Sequence, residues 1–275
     1  ADTMRVFALE EVSVVSSPKS DGRLRQQPAS VSMLTKGDIQ RTYPLSLKGA
    51  STLVPNLYVP DYGSRLTSAI YIRGIGSRIG TPAVGMYVDN VPLHDKSSFD
   101  FSFADVERID VLRGPQSTLY GRNTMGGLIK VHTKSPLNYQ GTDVQLGYGT
   151  GGNERRIGVA HYHRPSDRFA FSAAMFYNAG SGVFTNTNPN AGSHKADHFR
   201  SGGAKMRAIA LPSQPWMIDM SASIELSREG AYPYYYTGAV EGAEQYPDCI
   251  DRITSNIDGF YRRTLVNAGV NVERK

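Results

Sequence analysis

The sequence predicts an α+β unit followed by antiparallel strands of a transmembrane β-barrel. First, residues 106–134 read as strand, tight turn, short helix, glycine hairpin and strand. Val106, Ile109, Val111 and Leu112 supply one apolar strand, and Leu128, Ile129 and Val131 another. Second, from Gly141 onward apolar residues recur at every second position, in segments of roughly ten residues, as in a wall between lipid and a wet lumen. Third, short and long connections alternate between those segments. The period-two pattern alone also fits a soluble sandwich with one buried face. The connection lengths favour the barrel.

Composition agrees. The 28 Gly, 15 Pro and 16 Tyr among 275 residues favour many short strands and turns. No apolar run approaches the roughly 20 residues of a membrane-crossing helix, which excludes a helical span and says nothing against a barrel. The net charge of +5 is spread along the chain, so no nucleic-acid partner is expected. Ala1 begins a polar stretch, and a processed mature form is the expectation. The single Cys249 has no internal disulfide partner.

Residues 1–27 are polar apart from a β-prone patch at 9–16, which fits either an ordinary first strand or a segment that adds a strand to a partner's sheet. A strand follows at Ser30–Leu34, and Thr35 is placed to cap a helix with Asp38 in its opening turn. Pro44 opens a second helical piece carrying Leu45, Leu47 and Leu53, which stops at Pro55 and Asn56. Residues 59–66 form a loop. A strand at Ala69–Arg73, a turn through Gly74–Gly80 and a strand at Val84–Val91 come next. Gly74, Gly76 and Gly80 do not make a dinucleotide fingerprint: the last gap is one residue too long, and a strand follows instead of a helix. Residues 92–103 form another loop. In the 106–134 unit Gly114 and Pro115 stop the first strand, with Pro115 suited to a first helical position, and Gly121, Gly126 and Gly127 allow close backbone approach.

In the second half, Trp216, Ile218, Met220, Ala222, Ile224 and Leu226 share a face opposite Met217, Asp219, Ser221, Ser223, Glu225 and Ser227. Phe169–Tyr177, Ala204–Ala210 and Val266–Val272 alternate in the same way. About six strands are expected, near 142–150, 154–163, 168–178, 199–210, 215–227 and 260–273. Six strands are too few to close a transmembrane barrel, so a fragment of a longer barrel is expected.

The run Val106-Glu107-Arg108-Ile109, Leu112-Arg113-Gly114-Pro115, Leu119-Tyr120-Gly121 and Gly126-Gly127 closely resembles the end of the plug domain of TonB-dependent outer-membrane receptors. Leu53–Val59, Ile72-Arg73-Gly74 and Tyr87–Pro92 also match that plug, with Asn90 where glycine is usual. The resemblance implies an α+β plug domain at 28–136, followed at 137–275 by about six antiparallel strands of a roughly 22-stranded transmembrane barrel in the outer membrane of a Gram-negative bacterium. It implies that the 1–27 extension carries a TonB box, with Glu10, Glu11, Val12, Ser13, Val14 and Val15 meeting the periplasmic coupling protein.

If the strands run as in the family, loops 59–66 and 92–103 face the exterior and the 74–80 turn faces the periplasm. The ligand residues are then Asp61, Tyr62, Arg65, His94, Asp95, Lys96 and Ser97, a set suited to an anionic iron chelate. Tyr232, Tyr234, Tyr235 and Tyr236 would add an aromatic wall or an interfacial girdle. The resemblance also implies a plug latch of Arg73, Glu107 and Arg113, which tie the plug to itself and to acidic wall residues expected beyond Lys275. The implied function is active import of a ferric siderophore. The alternatives are cobalamin, haem, or a glycan taken up with a surface lipoprotein. A β-rich surface adhesin explains the alternating strands but not 106–134.

No catalytic constellation or cofactor motif is present in the sequence. His161 and His163 share a strand face, and His194, Asp197 and His198 share a loop. Neither set offers three rigid metal ligands, so exposed or girdle histidines are the expectation.

Overall fold

The computed structural model describes residues 13–17, 20–23, 30–42, 47–60, 62, 64–99, 102, 104–186, 195–231, 252–253 and 259–274. Strands β1 (Ser13–Ser17) and β2 (Ser20–Arg23) form a hairpin that, among the described residues, is a sheet of its own. Strand β3 (Ser30–Thr35) runs into helix α1 (Lys36–Thr42), followed by α2 (Leu47–Ser51). Thr35 and Asp38 cap α1 reciprocally. The Asp38 N–H donates to Thr35 Oγ1 at 3.3 Å, and Thr35 N–H and Oγ1–H donate to Asp38 Oδ2 at 3.0 and 2.7 Å. Helix α2 stops before Leu53, which lies in the following turn and is exposed.

Strands β4 (Leu57–Tyr58), β5 (Tyr71–Ile72) and β6 (Ile75–Gly76) make a small sheet. Arg73 and Gly74 both take left-handed backbone, φ 52° and 79°, and close a two-residue hairpin between β5 and β6. The chain therefore reverses at residues 73–74, earlier than the expected 74–80 turn. Val84–Val91 is likewise two strands, β7 (Val84–Val88) and β8 (Val91–Leu93). They are joined through Asp89 and Asn90, at φ 46° and 67°.

Strand β9 (Val106–Arg113), helix α3 (Ser117–Tyr120) and strand β10 (Gly127–Thr133) realise the 106–134 unit. Helix α3 begins two residues after Pro115, with Gln116 at its cap position. The sheet order is β3-β9-β10-β7-β8, with β10 and β7 parallel and the other neighbours antiparallel. One face is the core. Val84, Met86, Ile109, Val111, Ile129 and Val131 pack under Leu34, Ile39, Leu47, Ala50 and Ile72. Each such large side chain contributes roughly 1.5–3 kcal/mol by leaving water. Gly127 is obligatory here: at φ 154° a Cβ would stand 2.4 Å from the Leu112 carbonyl oxygen. The other face is polar yet buried. Asp110 lies 3.1 Å from Arg108 Nε and 3.0 Å from His132 Nε2, and Lys130 Nζ lies over the Tyr120 ring. Burying such charges is tolerable because they meet partners.

The second sheet follows in chain order as β11 (Gly141–Gly149), β12 (Glu154–Ser166), β13 (Phe169–Gly180), β14 (Thr185–Asn186), β15 (Phe199–Ala210), β16 (Trp216–Ala231), β17 (Arg252–Ile253) and β18 (Gly259–Arg274). Six of these form an antiparallel wall in the order β11-β12-β13-β15-β16-β18. The expected strands are thus present within a few residues of their expected bounds. Their apolar alternate positions stand exposed on the outside: Val266 keeps 66% of its surface, against 0% for Ile129 in the plug core. Against about 22 strands for closure, the six make an arc.

Candidate functional site

Both ends of the wall identify themselves by their connections. At one end β12–β13 and β15–β16 are joined by residues 167–168 and 211–215. At the other lie 150–153, 181–198 and 232–258, and β14 pairs with β17 so that the two long connections meet. Short turns belong on the periplasmic side and long loops outside.

The plug apex lies at the outer end. Ser64 Oγ–H donates to Glu229 Oε2 at 2.7 Å, and the Arg263 guanidinium donates to the Ser97 carbonyl. The Arg78 guanidinium stands 4.4 Å above the Tyr62 ring, and the Tyr62 and Tyr71 hydroxyls are 3.2 Å apart. Lys96 Nζ donates to the carbonyls of Ser77 and Arg78 at 3.3 and 2.7 Å. Segment 77–80 therefore joins the 59–66 and 92–99 loops at the exterior, where a periplasmic position was expected. The early reversal at Arg73–Gly74 is the reason: β6 already carries the chain back toward that end. Arg78 and Ile79, 86% exposed, are apex residues that sequence reasoning missed.

Of the expected ligand residues, Tyr62, His94, Asp95, Lys96 and Ser97 are brought together here. Asp61 lies outside the described residues, and Arg65 is described only by its place in a 3-10 turn, Arg65–Thr67. His94 is exposed. Asp95 is a cap: its Oδ1 accepts from the Ser97 N–H at 2.7 Å, and hydrogen bonds from the Ser97 side chain and backbone hold its carboxyl below the usual range. Lys96 staples one loop to the next.

Below the apex the plug is fastened to the wall by charge. Arg207 Nε and Nη2 donate to Asp219 at 3.0 and 2.7 Å, and its Nη1 stands 3.1 Å from Asp89 and donates to Thr133 Oγ1 at 3.0 Å. Asp89 in turn accepts from Thr133 N–H and Oγ1–H at 2.9 and 2.6 Å. Asn271 donates to the Asp89 carbonyl at 2.8 Å. Lys205 Nζ donates to Asp105 at 2.6 Å and to the Ser102 carbonyl at 2.8 Å. Lys134 Nζ donates to Asp143 at 2.5 Å, and Gln145 to the Ala104 carbonyl at 2.9 Å. A cavity of about 70 Å³ runs between plug and wall past Asp89, Asp105, Lys205 and Arg207. Val88, Val91, Leu93 and Ala174 line it beside those charged groups, and it is large enough for water.

These fasteners are a separate set from the expected latch of Arg73, Glu107 and Arg113. Arg73 and Glu107 are exposed, and Arg113 Nη1 donates within the plug, to the Pro55 carbonyl at 3.3 Å. Acidic wall partners for them are not among the described contacts. The sequence carries a signal for the wall's part of this set: Lys205, Arg207, Asp219, Glu225 and Arg263 are charges on the lumen-facing alternate positions of strands whose other face is mostly apolar.

Of the expected TonB box, Ser13, Val14 and Val15 are in β1, opposite β2, while Glu10, Glu11 and Val12 lie outside the described residues. So do Tyr232, Tyr234, Tyr235, Tyr236, His194, Cys249 and Lys275. His161 and His163 stack outward beside Phe171 as part of an aromatic cluster. No cluster of three metal-ligating side chains occurs among the described residues.

Residues 23–128 match the family model of the TonB-dependent receptor plug domain. The pesticin receptor of Yersinia pestis is 30% identical over 199 residues, 69% of this chain and 28% of that protein. The vitamin B12 transporter BtuB of Vibrio vulnificus is 30% identical over 148 residues, 50% of this chain and 23% of that protein. The chain thus spans about a quarter of the length of these curated relatives. The crystal structure of the ferric yersiniabactin uptake receptor FyuA from Yersinia pestis superposes with a TM-score of 0.76 at 22% identity, covering 90% of this chain and 38% of that one. A plug charged at its rim and an arc of wall that turns its apolar face outward agree with that likeness, and the chain belongs to the TonB-dependent receptors of the Gram-negative outer membrane.

Proposed function

We propose that this receptor imports a scarce ligand, a ferric siderophore, by energy-coupled displacement of its plug. One observation carries the reading: plug and wall are fastened to each other by ion pairs and hydrogen bonds, set around a cavity that charged and apolar side chains line together. Such an interface can exchange its internal partners for water when the plug shifts. Lys205, Arg207 and Asn271 on the wall, with Asp89, Asp105 and Lys134 on the plug, are the residues that would part.

The cargo assignment rests on the apex. Tyr62, Arg78, His94 and Lys96 offer aromatic and cationic groups to an anionic chelate, with Asp61, Arg65, Asp95 and Ser97 as its neighbours. It gains support from the similarity to a receptor named for ferric yersiniabactin uptake. The similarity to a B12 transporter keeps cobalamin as the second reading. The partners in this proposal are the periplasmic TonB-type coupling protein, reached through residues 10–15, outer-membrane lipid and the iron chelate. The division into extension 1–27, plug 28–136 and wall 137–275 belongs to the same proposal.

Uptake of radiolabelled iron chelates by cells producing the receptor tests it, with deletion of residues 10–15 as the second arm. The expected result is uptake abolished by the deletion while surface binding of the chelate persists. Uptake unchanged by the deletion overturns the coupling, and competition by cobalamin but by no iron chelate overturns the cargo.

A further inference from the structure

The lumen face of β15 and β18 carries its cations in a descending line. Strand register places Ser227 opposite Arg263, Ser223 opposite both Lys205 and Asn267, and Ser221 opposite both Arg207 and Gly269. Arg263 is therefore uppermost, with Lys205 and then Arg207 below it. From the level of Arg263 to that of Arg207 is about 20 Å along β18. Each rung holds an acceptor of the plug. The Arg263 guanidinium donates to the Ser97 carbonyl at the apex. Lys205 Nζ donates to Asp105 and to the Ser102 carbonyl, and Arg207 Nη1 stands 3.1 Å from Asp89. The wall carboxylates beside this line are engaged within the wall, Glu225 by Arg263 and Asp219 by Arg207. The cavity between plug and wall lies along the two lower rungs. Ser172, Ser221, Ser223 and Asn267 bring hydroxyl and amide groups to its wall side.

Plug and anionic cargo compete for the same cations. Ser97, Ser102, Asp105 and Asp89 leave with a plug that shifts, whereas Arg263, Lys205 and Arg207 belong to the wall and stay. Their donors then face the opened gap. There an anionic oxygen can replace a plug oxygen in a charge-assisted bond of the same kind. Lys205 and Arg207 are about 7 Å apart along β15, so two anionic groups of one chelate can meet both. A gap whose low-dielectric wall bears one sign of charge also concentrates ions of the other sign.

We propose that Arg263, Lys205 and Arg207 are successive transit sites for an anionic iron chelate, which takes over from the plug the cations that fastened it. The proposal rests on the import reading and adds a route to it, the lumen face of β15, β16 and β18, together with a charge for the cargo.

The test needs neither energy coupling nor the natural cargo, so its failure leaves import standing, and a failure of import leaves it readable. The full-length receptor is placed in a planar bilayer and its plug is loosened with urea. The potassium chloride current is then blocked from the outer side with ferric tris(catecholate), a trianion. Neutral ferric tris(acetohydroxamate), of similar size, is the comparison. Wild type should be blocked by the trianion and not by the neutral complex. Lys205→Gln with Asp105→Asn removes both members of one pair, and should need about tenfold more trianion for the same block. Asp105→Asn alone opens the same clasp but keeps the cation, so it should be blocked as readily as wild type. Arg155→Gln, an equal loss of charge on the outward face, should match wild type. Heat-modifiable gel mobility checks that each variant is folded. Should the double variant not fold, Ser223→Asp sets a carboxylate opposite Lys205 and should weaken the block likewise. Equal block by the two complexes, or block unchanged in the folded double variant or in Ser223→Asp, overturns the proposal. Equal weakening in Asp105→Asn and in the double variant also overturns it, because Lys205 would then only fasten the plug.

Discussion

The plug sheet and the wall sheet solve the same backbone problem with opposite patterns. In the plug, Val84, Met86, Ile129 and Val131 are sealed under helices, as in any water-soluble α+β core. In the wall, Val144, Leu146, Met175, Met206, Val266 and Val270 face out, and Asp219, Glu225 and Glu229 face in and are buried. The difference lies in the solvent, since a strand turns its apolar side to whatever is least polar nearby. It also teaches how two such bodies can be fitted together yet remain separable: the plug meets only the polar side of the wall.

Adjacent residues on β15 break that comparison most sharply. Arg207 faces the plug and Met206 the lipid. Arg207→Met leaves Asp89 and Asp219 buried without their cation and should cost about 3–5 kcal/mol. A lowered urea midpoint, followed through Trp216, the sole tryptophan, and faster proteolysis of the plug are the readouts. Adding Asp89→Asn and Asp219→Asn should restore part of the loss. An unchanged midpoint in Arg207→Met means that the ion pairs do not fasten the plug.

Met206→Arg should cost somewhat less, about 2–4 kcal/mol, because residue 206 lies on the row through Ala173, Ala222 and Ala268, midway down the apolar band. Refolding into bilayers of defined thickness measures it. A variant as stable as wild type would mean that this face does not meet hydrocarbon.

The seam between the two bodies is sharpened by Gly269. A Cβ there would stand 2.3 Å from Val91 Cγ2, so the wall accepts the β7–β8 hairpin only where it lacks a side chain. Gly269→Ala should cost about 1–3 kcal/mol by overpacking, and Val91→Ala in the same molecule should recover most of it. Additive losses would show that Gly269 and Val91 do not touch.

The two regions differed in how far the sequence exposed them. Period-two alternation over strands of this length reveals each wall strand, because both of its solvents are uniform along it. The 106–134 unit was legible from its ordered glycines and apolar pairs. Two kinds of feature were not. Arg73–Gly74 lacks the usual Asn-Gly signature of a tight hairpin, so its glycines predict a longer turn there, while the reversal at 73–74 carries segment 77–80 to the opposite end. The fasteners join residues far apart in the chain, such as Asp105 to Lys205 and Asp89 to Asn271. Periodicity states which face a charge occupies but not which plug residue will stand opposite.

The smallest effect is confined to the plug and separates the two bodies by pH. The Thr35 hydroxyl and backbone N–H hold the Asp38 carboxyl below the usual carboxylate range. A group whose folded pKa is depressed stabilises above its unfolded value, roughly 3.9, and that contribution is lost as pH falls through the folded value. Thr35→Ala removes the cap and should cost about 1 kcal/mol at neutral pH. It should also flatten the fall in α1 stability that begins below about pH 5 and runs down through the folded value. Amide exchange over residues 36–42 reads this directly. Trp216 fluorescence should be indifferent to the substitution, since α1 packs on the plug core and the wall reports separately. If the α1 amides keep their wild-type pH dependence in Thr35→Ala, the capping box is not what ties this helix to acid. If the Trp216 signal shifts with them, the plug and the wall unfold as one body.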